Sequence, residues 1–189
     1  MSLSERETWT VIHGLLAGTL FLLAFAGGLA GLWSLRPGFL TPAAIRERMR
    51  RLYVGVWVMA VVAWITVISG TWIVYPWYRA ALAGETFDGC AGLHLPDPDA
   101  CSPRDFLLSN VSGDTETWHE FGMEWKEHVA WIAPILATAV AFIVTYYGAR
   151  LIPRTWLRVV VIVMFVASFA AAVVGGAFGA FLNKIAPIV

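Results

Sequence analysis

The sequence predicts an all-α integral membrane protein: a four-transmembrane-helix bundle, both termini outside, with a long disulfide-closed outward loop between helices 2 and 3. Three observations predict it. First, 59% of the 189 residues are hydrophobic and the mean hydropathy is +0.70, more apolar surface than a soluble domain of this size buries. Second, four apolar stretches, residues 9–33, 52–75, 118–147 and 159–182, can each cross a hydrocarbon core of about 30 Å, which takes about 20 helical residues. The third of these includes a first part outside the membrane, its apolar run beginning at His128. Third, basic residues are unevenly placed. Arg36, Arg46, Arg48, Arg50 and Arg51 crowd the first connection and Arg150, Arg154 and Arg158 the third, while acids outnumber Arg79, Arg104 and Lys126 in the second. The positive-inside rule then places the first and third connections in the cytoplasm. A bacterial-type inner (plasma) membrane is the expected location, with residues 78–117 on its periplasmic or extracellular side.

Helix 1 opens at an interfacial Trp9, with His13 one turn inside. The first residues lack the basic segment of a signal peptide, so helix 1 is expected to be retained. Gly14 and Gly18, then Gly27 and Gly31, form small-xxx-small pairs that let another helix or a flat ring approach. In the first connection, Thr41-Pro42 reads as an N-cap followed by proline at the first helical position, so a short cytoplasmic helix is expected to merge into helix 2. Helix 2 carries Trp57, Trp64 and Trp72 on one stripe, either a helix interface or a cofactor wall. Pro76 is expected to stop the helix in an aromatic belt.

The outward loop is rich in Gly, Pro and Asp and holds Cys90 and Cys101, read as a disulfide in an oxidising compartment, with His94 a solvated histidine between them. No Cys-x-x-Cys-His run for c-type haem attachment is present. Helix 3 is expected to start before the membrane, capped by Thr115 or Thr117, with Glu116 and Glu120 suiting its positive end. Glu120, Glu124 and His128 share one face, Trp131 lies a turn deeper, and Pro134 should kink the helix just beneath His128. Helix 4 is small and apolar, and its outer glycines, Gly175, Gly176 and Gly179, leave room at the level of the histidines.

Counting back from Trp33 to His13 gives 20 residues and from Tyr147 to His128 gives 19, so each histidine lies roughly 30 Å above the opposite boundary. Two imidazoles at one depth on neighbouring spans suit both axial positions of a haem, with Gly14 and Gly18 giving the porphyrin room and Trp131 lining it. Glu124 or Glu127 could orient the ligating His128.

Three functional readings follow. The first is a cytochrome b-like electron-transfer subunit holding one haem b near the outer face through His13 and His128, working with other membrane or periplasmic redox subunits of a respiratory chain. The second is a cofactor-free accessory or assembly subunit of a larger respiratory or photosynthetic complex. The third is an outward non-haem site for iron, copper or zinc, built from His119, Glu120, Glu124 and His128. The likeness to four-helix membrane cytochromes rests on topology and the two histidines, which is analogy. A net charge of zero offers no footprint for nucleic acid. Neither Gly-x-Ser-x-Gly nor His-Glu-x-x-His is present, and spans 2 and 4 hold no mid-membrane charge of the kind a carrier uses. A non-catalytic subunit is therefore expected.

Overall fold

The computed structural model describes residues 5–35, 41–79 and 118–185, and all its regular structure there is helical. Four helices are long and apolar enough to cross a membrane. Helix α1 runs from Glu5–Thr10 through a π-helical stretch, Val11–Leu16, into Ala17–Ser34. Helix α2 comprises Pro42–Ser69, a π-helical stretch Gly70–Val74, and Tyr75–Arg79. Helix α3 opens π-helically at Trp118–Gly122, continues as Met123–Val129 and Ile132–Tyr147, and ends in a 3₁₀ turn, Gly148–Leu151. Helix α4 is Thr155–Ile185.

The helices close a ring in chain order: α1 packs on α2, α2 on α3, α3 on α4, and α4 on α1. The short connections from α1 to α2 and from α3 to α4 favour antiparallel neighbours there, and the ring leaves α1 and α3 diagonally opposed. Along α1–α2–α4 the closest approach is at Gly28, whose backbone lies 3.5 Å from where a Cβ on Gly55 would be. A Cβ on Gly28 itself would meet the Phe165 ring at 2.6 Å. The small residues that matter for packing are therefore Gly28 and Gly31, not the Gly27 of the sequence pattern, which has nothing within 4 Å. Phe25 completes this contact, stacking on Phe169 at 3.8 Å and on Phe165 at 5.2 Å.

The tryptophan stripe of α2 is a helix interface. Trp57 Nε1 donates to Thr145 at 3.0 Å and Trp64 Nε1 to Thr138 at 2.9 Å, while Trp131 packs edge-on between Trp64 and Trp72. Trp57 and Trp64 thus satisfy their indole N–H groups on α3, while Trp72, largely exposed, meets α3 only through the edge of its ring on Trp131.

Thr41 does cap α2, accepting from the Ala44 amide at 3.3 Å, and the helix continues unbroken from Pro42 into the apolar run. Pro76, by contrast, does not end α2. The π-helical stretch ahead of it widens the backbone where the proline ring would crowd the carbonyl four residues earlier, and helix resumes at Tyr75–Arg79. Pro134 acts as its chemistry requires. Lacking an N–H, it leaves the Ala130 carbonyl without its usual donor; the Ala133 amide takes it at 3.2 Å, and the helix breaks between Val129 and Ile132. Ser168 of α4, fully buried, donates to the Ala133 carbonyl at 2.8 Å and braces the break.

At the arginine-rich end, Gly148 takes a φ of 51° to finish α3. Arg158, only 8% exposed, donates to the carbonyls of Leu35 and Ile152, and Arg48 donates to that of Ser34. These two guanidiniums tie helix ends together and are not free surface charge. Cys90, Cys101, His94, Thr115 and Thr117, together with the expected disulfide and cap, lie outside the described residues.

Candidate functional site at the histidine-bearing end

All three π-helical stretches stand at the end of the bundle opposite the arginines, and each bears directly on a histidine. Such stretches trade regular hydrogen bonding for a side-chain position that an α-helix does not offer, and they cluster at functional sites. Val11–Leu16 carries His13, Gly70–Val74 receives it, and Trp118–Gly122 carries His119.

His13 lies against α2. Its Nδ1 is 3.1 Å from the Ser69 hydroxyl, and its ring covers Gly70 so closely that a Cβ there would be 2.7 Å from Cε1. Ser69 Oγ already donates its one hydrogen to the Thr66 carbonyl at 3.1 Å. The Ser69 hydroxyl thus lies between the His13 ring and the Thr66 carbonyl and holds the imidazole against α2. Lys126 reaches into the same end from α3. A Cβ on Gly179 of α4 would be 3.0 Å from its Nζ, and the ammonium is near enough to His13 to act on it electrostatically. The room left by the glycines of α4 is thus used by a lysine stem.

His119 is 4% exposed. Its Nδ1 lies 3.0 Å from the Tyr78 hydroxyl, the two rings stack with centroids 5.7 Å apart, and its Nε2 is buried with no hydrogen-bond partner among the described residues. A buried imidazole nitrogen left unpaired costs on the order of 1–3 kcal/mol, a cost that a ligand on Nε2 would remove. One nitrogen held by a hydroxyl and the other bare is how a protein presents an imidazole to a metal.

His128, expected to face His13, does not. It stands on the helix diagonal to α1 and its side chain is 75% exposed, with Nδ1 on the Glu124 backbone carbonyl at 2.8 Å and the Glu124 carboxylate at 3.7 Å. Residue counts carry no information on the direction in which each side chain points. Trp131 is taken up by the indole cluster. Gly14 and Gly18 are open, with nothing within 4 Å of an added Cβ. Nor are His119, Glu120, Glu124 and His128 gathered: the first is buried, the other three are exposed, and no group of three or more His, Cys, Asp or Glu side chains placed to hold a metal ion occurs among the described residues.

Sequence reasoning missed Ser69, Tyr78 and Lys126. Tyr78 reads as part of an aromatic belt and Lys126 as one charge of the cluster at residues 118–128, with no sign of the glycine it lies on; a hydroxyl nine positions from another on α2 carries no signal until each is seen to meet a histidine. Comparison with protein-family models, with curated proteins and with solved structures gives no match for this chain.

Proposed function

We propose that the chain is a cytochrome b-like electron-transfer subunit of a membrane, carrying one haem b at the histidine-bearing end. The observation that carries this reading is the buried Nε2 of His119, unpaired while Tyr78 holds Nδ1. In this reading His119, rather than His128, would hold the haem iron, with the Tyr78 hydroxyl on Nδ1 orienting its ring. His13, held by Ser69, is the second imidazole of that end, and the Lys126 side chain reaches into the same end. A bound haem would supply reversible one-electron chemistry; the chain's part would be to hold it and to orient the two imidazoles through Ser69 and Tyr78.

The test is the absorbance spectrum of the detergent-purified full chain, oxidised and dithionite-reduced, with pyridine-haemochrome quantitation. A Soret band at about one haem per chain supports the reading, and a colourless chain from haem-replete cells refutes it.

A second reading, a cofactor-free accessory subunit, is favoured by the uncovered glycines of α1. Gly14, Gly18 and Gly27 face nothing within 4 Å, and a bare small-residue face is where another membrane helix approaches. A colourless chain that co-purifies stoichiometrically with another membrane subunit would establish it.

A further inference from the structure

The arginine-rich end holds a feature that involves none of the histidines. A groove of about 450 Å³ runs between the start of α2 and the end of α3, lined by Ile45, Arg46, Met49, Arg50, Tyr53 and Ala149. Ile45, Met49, Tyr53 and Ala149 make its lining largely apolar, while Arg46 and Arg50, one helical turn apart, stand on the same side of α2. The other arginines among the described residues of this end have partners within the chain. Arg48 and Arg158 bond helix-end carbonyls, Arg150 bonds those of Tyr146 and Tyr147, and Arg154 lies over the Tyr147 ring at 5.1 Å. Glu47 accepts from both Arg50, at 3.1 Å, and Arg51, at 2.7 Å, so one carboxylate is divided between two guanidiniums. Arg46 makes no ion pair among the described residues. The groove's rim therefore carries uncompensated positive charge beside an apolar floor, at the level where an apolar span ends.

We propose that this groove binds one anionic phospholipid, its phosphodiester held by Arg46 and Arg50 and an acyl chain lying along Ile45, Met49, Tyr53 and Ala149. Basic pockets between transmembrane helices at the membrane boundary take such headgroups. A free phosphate would satisfy the arginines but has no use for the four apolar residues, so the lining selects the lipid. The site does not depend on which cofactor, if any, the opposite end carries.

Native mass spectrometry of the full chain in mild detergent, titrated with phosphatidylglycerol or phosphatidylcholine, tests the proposal. One phosphatidylglycerol per chain is expected to bind in preference to phosphatidylcholine. At about 5-fold per arginine, Arg46→Gln with Arg50→Gln should weaken phosphatidylglycerol binding by about 25-fold, and Arg154→Gln by less than about 2-fold. Ala149→Trp, which fills the groove and keeps both arginines, should also abolish the preference; it carries the test if the double variant does not fold. Undiminished binding in the double variant or in Ala149→Trp overturns the proposal. So does an equal loss in Arg154→Gln, which marks diffuse attraction, or equal retention of phosphatidylcholine. Displacement of the lipid by millimolar inorganic phosphate also overturns it, because the arginines then hold phosphate without help from the groove.

Discussion

Two adjacent glycines on α1 should respond oppositely to the same substitution. Gly28→Ala puts a methyl group 2.6 Å from Phe165 Cζ and 3.0 Å from Cε1, where carbon atoms prefer about 3.5–4.0 Å, so the ring must move by about 1 Å. It has nowhere to go: Phe165 is fully buried, stacked on Phe25 at 5.2 Å, and Phe25 is stacked on Phe169 at 3.8 Å. Overpacking of this kind costs about 1–3 kcal/mol, against about 1 kcal/mol gained by replacing a helical glycine with alanine, for a net loss of up to about 2 kcal/mol. Gly27→Ala meets nothing within 4 Å and keeps only the gain. The assay is the unfolding midpoint of the full chain in mixed micelles as the denaturing detergent fraction rises. Gly28→Ala should lower it, Gly27→Ala should hold or raise it, and Phe165→Leu in the Gly28→Ala background should recover part of the loss. A Gly28→Ala chain as stable as Gly27→Ala would refute the α1–α4 packing described above.

Other substitutions probe the remaining ties. Arg158→Met leaves the Leu35 and Ile152 carbonyls without their charged donor and should cost about 1.5–3 kcal/mol in the same assay. Arg154→Met loses only its place over Tyr147 and should cost less than about 1 kcal/mol. Trp64→Phe and Thr138→Val each break one indole–hydroxyl bond between α2 and α3; each should cost about 0.5–1.5 kcal/mol, and the double variant clearly less than their sum. If a haem is bound, Tyr78→Phe, which keeps the stacked ring and removes the hydroxyl from His119 Nδ1, should shift the reduced spectrum and the midpoint potential while leaving haem content unchanged.

The four spans, the Thr41 cap and the break above Pro134 were legible in the sequence because each depends on local chemistry: length of apolar run, a hydroxyl before a proline, a missing N–H. Pro76 was misread because a single residue does not reveal that the backbone ahead of it has loosened into a π-helical stretch. The pairing of His13 with His128 failed for a different reason. Residue counting estimates depth along a helix axis, but azimuth is set by which helices are neighbours. In a soluble helix the polar face reveals azimuth; here lipid-facing and core-facing positions are alike apolar, as with exposed Leu23 beside buried Ala24 on α1. The ring order that sets α1 against α2 and α4, and turns His128 outward, was therefore invisible. His119 meets Tyr78, 41 positions earlier, and nothing in the sequence of the connection between them signals that contact.

The account turns on which imidazole carries the ligand. The most direct measurement is the haem-to-chain ratio and reduced-minus-oxidised spectrum of purified His119→Ala and His128→Ala chains, prepared in parallel with the unsubstituted protein. The account predicts that His119→Ala loses the haem or changes its spectrum, while His128→Ala, whose side chain is exposed and bonded to its own helix, retains both. Loss in His128→Ala with full retention in His119→Ala would contradict it.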